Sequence, residues 1–306
     1  MDDNSSTANE PRPPGLLDRA EYIEQAYFFR TMRERMGQNL PAQEVLGRVH
    51  EEILSTTRLP MAIEFLATEI KHSGVLAPAF VRLAHYFTPF QAFVIERAEA
   101  EQSRFSADQA LLVLEREATY KAGRPIPAGL FVYQLETLSR NRLGYDHGLA
   151  AVAGDPLFDS DWSDWIRKLR GRIGMVDFAD LVYLRSEWYA AERRRQDPDF
   201  EPERAILFGE KEGRIAKANH GKDPLYLFAA LQRQLGYPEV PRPSPPDEER
   251  TVNRIAVLER KLSQLETRLK LVESEAKGEL DLTRFYAKPD DTAREADSPG
   301  RPARPT

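Results

Sequence analysis

Cysteine is absent from this chain of 306 residues, and several kinds of chemistry are excluded with it. The protein can have no disulfide bond, no thiol nucleophile and no zinc site built from cysteine ligands. No run of about 18 apolar residues occurs either, so the sequence predicts no membrane-spanning helix and no membrane partner. The first fifteen residues are polar and contain no apolar stretch. We therefore expect a cytoplasmic protein without a secretory signal.

An excess of positive charge is also lacking. The chain has 43 lysines and arginines against 49 aspartates and glutamates, which gives a net charge of −6. Proteins that bind nucleic acid generally present a basic surface, so we expect no nucleic-acid partner. The motifs GxSxG, GxGxxG and CxxC do not occur, so the sequence indicates no cofactor and no catalytic residue. A non-enzymatic role is favoured, although catalytic sites assembled from distant residues leave no spacing signal.

Helix start and stop signals punctuate the first half of the chain, in which apolar residues are frequent enough to form a core. Proline at positions 41, 60, 78 and 127 suits the first turn of a helix, where a missing N–H is tolerated. Three residue pairs have the spacing of a capping box, namely Asp18 with Glu21, Thr88 with Gln91, and Ser106 with Gln109. The sequence therefore predicts a helical domain over residues 16–150.

The following region, residues 151–240, is predicted to be an α+β extension packed on the helical domain. The apolar residues 205–208 (AILF) are followed by the glycine-containing loop GEKEG and then by residues 214–218 (RIAKA), an order typical of a β-hairpin. Residues 180–189 fit either a helix face or a strand. The predicted fold class is therefore mainly α, or α+β if the hairpin near residues 205–218 forms.

A heptad pattern occupies residues 251–277, after a proline-rich hinge at residues 241–250. The apolar residues recur at alternating spacings of three and four, which is the a/d pattern of a coiled coil. These residues are Ile255, Leu258, Leu262, Leu265, Leu269, Val272 and Ala276. We expect the protein to associate with itself through this seam. Two alternatives are that the helix folds back on its own domain or that it pairs with a different protein.

Charged residues flank the seam in a pattern that favours one orientation of the two helices. With Ile255 at position a, the e positions hold glutamate and the g positions hold lysine or arginine. In a parallel pair the opposed residues are Arg254 with Glu259, Lys261 with Glu266, and Arg268 with Glu273. All three pairs attract each other, whereas an antiparallel pair would oppose like charges. A parallel assembly is predicted, and both a dimer and a trimer stay open because leucine occupies two a positions.

Three further segments complete the predicted organisation of the chain. Residues 278–288 include apolar side chains that are unusual for a linker, so they form a possible docking peptide. Residues 1–15 and 289–306 are polar and rich in proline, and we expect both to be disordered tails. Together with the heptad seam, this organisation predicts a structural or adaptor protein that binds itself and another protein of unknown identity.

One segment of the predicted extension suggests ligand chemistry instead. Residues 209–223 concentrate glycine with five basic side chains close to a predicted helix start at Pro224. These residues are Lys211, Arg214, Lys217, His220 and Lys222. A cluster of cations beside a helix N-terminus is typical of an anion site. The alternative function is therefore a small-molecule binding protein or enzyme that recognises an anionic or phosphorylated ligand.

Metal sites are only weakly indicated. Glu69 and His72 lie three residues apart on a predicted helix, as in di-iron bundles, but no second pair of this kind occurs and further ligands such as Glu99 or Glu115 would be needed. The aspartates at positions 155, 159, 161 and 164 partly resemble a calcium loop, although the position that requires glycine holds an aspartate. We expect these carboxylates to mark a helix N-terminus that Asp161 caps.

Overall fold

A computed structural model describes residues 16–100 and 105–242, together with two helical positions farther along, Leu262 and Leu269. The described part of the chain is mainly helical, as predicted, and its only β structure is two isolated bridges. Its helices are α1 Arg19–Gly37, α2 Ala42–Glu52, α3 Leu59–Ser73, α4 Ala77–Arg82, α5 Pro89–Glu99, α6 Ala107–Ala122, α7 Pro127–Arg140, α8 Tyr145–Ala153, α9 Ser160–Leu169, α10 Phe178–Tyr183, α11 Glu187–Gln196, α12 Glu210–Ala218 and α13 Pro224–Leu235.

Two of the predicted capping boxes are confirmed. The Thr88 hydroxyl accepts a hydrogen bond from the Gln91 N–H at 3.3 Å, and the Gln91 side chain accepts one from the Thr88 N–H at 3.1 Å. Ser106 and Gln109 make the same reciprocal pair at the start of α6. Each box satisfies two backbone donors that a helix N-terminus would otherwise leave unpaired.

Other helix starts are capped by carboxylates from distant parts of the chain. The Glu99 carboxylate accepts hydrogen bonds from the N–H groups of Leu76, at 2.6 Å, and Ala77, at 2.9 Å, and so caps α4. Glu21 accepts from the Arg58 N–H at 2.8 Å, at the start of α3. The capping box predicted between Asp18 and Glu21 is therefore wrong, because Glu21 serves a different helix.

The core contains two groups of aromatic side chains. The first joins α1 to the region around α4, where Phe80 and Phe87 stack with ring centroids 4.2 Å apart beside Phe29. The second gathers Trp162 and Trp165 of α9 around Phe208, with centroids 5.2 and 5.5 Å from the Phe208 ring. Burial of large aromatic side chains is a major contribution to the stability of a helical fold.

The β-hairpin predicted near residues 205–218 does not form. Residues 210–218 are helix α12, with two glutamates in its first turn, where they complement the helix dipole. Residues 205–208 form no strand beyond an isolated bridge between Phe208 and Ser186, and the Phe208 ring packs against both tryptophans of α9. The apolar run therefore serves core packing and not a β-ladder.

Gly213 explains why the predicted hairpin loop is wrong. It lies inside α12 where that helix approaches Ser186 and Trp188, at the start of α11. A Cβ atom at this position would lie 2.2 Å from the Ser186 hydroxyl oxygen and 2.7 Å from the Trp188 Cβ. The glycine is required by close packing and not by a turn, and a single sequence does not distinguish these two uses.

The segment 180–189 is also helical, and the strand alternative is wrong. It contains the end of α10, a turn and the start of α11, where the Ser186 hydroxyl accepts a hydrogen bond from the Tyr189 N–H at 3.2 Å. The sequence signals also missed α8, which buries Leu149 and Val152. Residues 1–15 and those beyond 242 other than Leu262 and Leu269 lie outside the described residues. They include residues 243–250 of the predicted hinge, the predicted docking peptide and the predicted second tail.

Candidate functional site: the seam leucines and the basic segment

Two residues of the predicted coiled-coil seam belong to the described part of the chain. Leu262 and Leu269 are both helical, and their exposed fractions are 58% and 62%. They are seven residues apart, which is the distance of about two helical turns, so a continuous helix would place both on the same side. Both occupy a positions of the heptad pattern. The other five seam residues lie outside the described residues.

Arg214 of the predicted anion site is engaged within its own helix and against a neighbouring ring. Its guanidinium donates to Glu210 Oε1 at 2.9 Å and lies 4.3 Å from the centre of the Trp188 ring. Guanidinium groups stack favourably on tryptophan, and the Glu210 carboxylate neutralises the charge. The main partners of the Arg214 guanidinium are therefore residues of the protein itself, Glu210 and Trp188.

Lys217 and His220 are paired with carboxylates as well. Lys217 Nζ donates to Glu192 Oε1 at 2.5 Å, and this bond, together with one from the Tyr183 hydroxyl, lowers the pKa of Glu192. His220 Nδ1 lies 2.6 Å from Asp180 Oδ1. The structure thus places three of the five predicted cations beside an acidic partner.

The remaining two cations, Lys211 and Lys222, are exposed and make no ion pair with a described residue. The helix N-terminus near them is already occupied, because the Asp223 carboxylate accepts a hydrogen bond from the Leu225 N–H at 2.8 Å. An anion that bound at this end of α13 would have to compete with the Asp223 carboxylate for the helix N–H groups. Anion binding by residues 209–223 stays a prediction.

Glu69 and His72 are placed apart from any further ligand. Glu69 lies on α3 and pairs with Arg82 at 2.6 Å, and His72 is exposed one turn later. Glu99 caps α4, and Glu115 holds Arg30 at 2.7 Å. Within the described residues, no group of three or more acidic, histidine or cysteine side chains is arranged to hold a metal ion.

The aspartates that resembled a calcium loop have separate roles. Asp159, and not Asp161 as predicted, is the N-cap of α9, where its Oδ1 accepts from the Trp162 N–H at 2.9 Å. Asp164 pairs with Arg167 on the surface at 3.1 Å. Asp155 lies four residues before this cap and is buried, with its carboxylate facing Lys121 of α6.

The sequence signals missed the buried charges around Asp155. Lys121 Nζ lies 2.6 Å from Asp155 Oδ2 and 3.2 Å from Glu117 Oε1, and the Gln134 amide donates to both carboxylates. Burial lowers the pKa of Lys121, but the two carboxylates outweigh it and the net shift is upward. The Lys121 amine is therefore protonated and is not a nucleophile. The only local sign of this cluster in the sequence is the spacing of Glu117 and Lys121, which are four residues apart and therefore share one face of a helix.

Three further findings are not tied to a single site. Among residues 16–100 and 105–242 and the two seam leucines, no helix combines the length and apolar character needed to cross a membrane. The described side chains also show no arrangement of nucleophile, acid and base that would identify a particular reaction. Comparison with protein family models, curated proteins and solved structures gives no match to this chain.

Proposed function

We propose that this chain is a cytoplasmic structural or adaptor protein that self-associates through a parallel coiled coil of residues 251–277. The observation that carries the proposal is the exposure of Leu262 and Leu269 on a helix, at the two a positions that can be described. Large apolar side chains repeated on one helix face favour burial against a second helix. The remaining seam residues follow the same heptad register in the sequence.

The charge pattern beside the seam supports the parallel orientation. Each glutamate at an e position would face a lysine or arginine at a g position of the neighbouring chain. Such exposed pairs contribute about 0.2–1 kcal/mol each, so they select the orientation while the apolar seam supplies most of the affinity. Either a dimer or a trimer satisfies this pattern.

A helical body joined to an assembling helix suits the recruitment of other proteins. Self-association would bring two or three copies of the body together, and each added copy raises the effective concentration of any surface that binds a partner. The body or residues 278–288 would supply that surface. The partner is proposed to be a protein, because the net charge of −6 disfavours nucleic acid.

The proposal is tested by measuring the mass of the full chain in solution by light scattering after size exclusion. We expect a multiple of the chain mass of 34.9 kDa for the wild type and a single chain mass for the double variant Leu262→Glu, Leu269→Glu. The double variant Gln264→Glu, Thr267→Glu adds the same charge on the outer face of the helix. It is the matched control and should assemble as the wild type does.

Two results would contradict the proposal. A wild-type chain that stays a monomer at about 100 μM would exclude self-association through so short a seam. Equal assembly of the seam variant and its control would show that another surface joins the copies. In the first case, the helix would be free to bind a different protein, and residues 209–223 would return as the candidate site.

A further inference from the structure

A groove of 420 Å³ runs along one face of α9. Its floor includes the buried side chains Trp165 and Leu169. The groove is completed by Arg185, from the turn between α10 and α11, and by residues 203–205, where the chain bends. Three segments that are separate in sequence, residues 161–172, Arg185 and residues 203–205, thus contribute to one concave surface.

The two sides of the groove are held in a fixed relation. The Arg185 carbonyl accepts hydrogen bonds from the N–H groups of Leu207, at 2.8 Å, and Phe208, at 3.1 Å, and the Phe208 carbonyl accepts one from Glu187 at 2.9 Å. Phe208 is itself anchored among the tryptophans of α9. A site built on elements fixed in this way requires little rearrangement to bind a ligand.

The cations of the groove lack partners, in contrast to those of the basic segment. The groove contains four basic side chains, and none forms an ion pair or a side-chain hydrogen bond with a described residue. They are Lys168, Arg172, Arg185 and Arg204. The Nε atom of Arg185 is buried and has no acceptor. A buried donor without an acceptor is costly, so this guanidinium is suited to an acceptor that the chain itself does not provide.

The electrostatic surroundings of Arg185 agree with this geometry. Burial lowers the pKa of Arg185, and the nearby positive charge of Arg204 lowers it further, against the opposite effect of Asp161. Arg30, which is held by Glu115, shows the reverse shift in its pKa. Two arginines that repel each other in a partly buried site are stabilised when an anion lies between them.

We propose that this groove binds the carboxylate or phosphate group of a small organic molecule through Arg185 and Arg204. A guanidinium group presents its N–H donors as a planar fork that matches the oxygens of either anion. The apolar part of the ligand would contact Trp165, which lies in the floor of the groove.

The acidic side chains of the groove limit the charge of the ligand. Asp161, Asp164 and Glu203 also line it, so four cations are set against three carboxylates and the formal balance is +1. This balance favours an anion with one or two charges. It disfavours a polyphosphate or a nucleic-acid strand, whose binding requires many cations. The site is independent of the proposed coiled coil.

The test uses the full chain and two probes, phenyl phosphate and benzoate, with phenol as the uncharged control. Calorimetric titration at physiological salt should show binding of at least one of the two anions and none of phenol. The tighter of the two anions identifies the oxyanion that the groove prefers. Lack of binding by both anions, or equal binding of phenol, would overturn the proposal.

Variants separate the groove from other basic surfaces. The exposed residue Arg204 is changed in R204Q, which should weaken binding at least 10-fold without affecting the fold. The matched control is R170Q, since Arg170 lies at the end of α9 but pairs with Asp146 at 2.8 Å and does not line the groove. Binding that is unchanged in R204Q, or weakened equally in R170Q, would overturn the proposal.

A third variant distinguishes a binding role from a structural role of Arg185. In R185M the unpartnered cation is removed, so the unfolding temperature without ligand should be equal to or higher than that of the wild type, and binding should be lost. A residue that stabilises the fold would give the opposite change in unfolding temperature. A less stable R185M that still binds the probe as tightly as the wild type would overturn the proposal.

Discussion

Lys121 Nζ lies 2.6 Å from Asp155 Oδ2 at a place where the side chains of both residues are at most 1% exposed. The pair joins the end of α6 to the residues that follow α8. Glu117 lies one turn before Lys121 on the same helix, so a single cation serves two buried carboxylates. Two carboxyl groups and one amine are thus buried together, and buried ionisable groups of this kind are costly unless they are paired.

We predict that Lys121→Met lowers the free energy of unfolding by about 3–5 kcal/mol, because it leaves two buried carboxylates without their cation. The measurement is urea denaturation at neutral pH. Lys168→Met is the control, since Lys168 is exposed and has no ion pair with a described residue, and its effect should stay within about 0.5 kcal/mol. Equal effects of the two substitutions would show that the buried pair does not stabilise the fold.

The second prediction concerns Glu117 and pH. Burial raises the pKa of Glu117 above its ordinary value, with Lys121 opposing the shift and Asp155 adding to it. The folded state therefore retains a proton that the unfolded chain releases above its pKa of about 4.3. The contribution of protonated Glu117 to the free energy of unfolding is therefore present at low pH and is lost as pH rises through the pKa of Glu117 in the folded state.

The substitution Glu117→Gln removes this titration. As pH rises above the unfolded pKa of about 4.3, the free energy of unfolding of the variant should increase relative to that of the wild type. The amide can also donate hydrogen bonds, which suits a site where Glu117 Oε2 and Gln134 Oε1 are buried without partners. Denaturation curves at a series of pH values measure the difference. Parallel pH profiles for the two proteins would contradict the prediction.

The third prediction compares two glycines inside helices. Gly213→Ala places a methyl group against Ser186 and Trp188, and such overpacking typically costs about 1–3 kcal/mol. Gly47→Ala in α2 meets no atom within 4 Å, so the helix propensity of alanine should increase stability by up to about 1 kcal/mol. Thermal unfolding should shift in opposite directions for the two variants. Stabilisation by both would mean that α12 moves away from α11 at little cost.

The fourth prediction tests the parallel orientation, and the natural absence of cysteine makes it a clean experiment. A single cysteine in Leu258→Cys lies near one end of the predicted seam and meets its own counterpart only in a parallel pair. Oxidation should then give a covalent dimer in non-reducing gel electrophoresis. Thr267→Cys, on the outer face of the helix, is the control and should give little cross-linking. Equal yields from the two positions would exclude the predicted geometry.

The sequence revealed those parts of the fold whose signals are local. Thr88 and Gln91 are three residues apart, so their capping box can be read directly from the chain. Glu99 caps a helix that begins 22 residues earlier, and no spacing rule connects it to Ala77. The sequence fails to reveal α12 for a related reason, because the closeness of Ser186 to Gly213 is a tertiary contact.

The candidate sites also differ in whether they depend on local spacing or on contacts between distant parts of the chain. The heptad seam is periodic, so the spacing of its seven residues is by itself enough to indicate a helix face. The basic residues of segment 209–223 are close in sequence, but the fold supplies Glu192 as a partner of Lys217 and Asp180 as a partner of His220. The groove of Arg185 and Arg204 depends on three separate segments, and only folding brings them together.

The Glu99 cap has a consequence for the order in which this part of the protein opens. Helix α4 has six residues, which is far too short to persist in water by itself. Its first N–H groups are bound by a side chain from the last turn of α5, so loss of that turn leaves α4 without its cap. We expect the amide protons of α4 and of the end of α5 to exchange with deuterium together, as one cooperative unit. Two helices that the chain encodes separately thus share a single opening equilibrium.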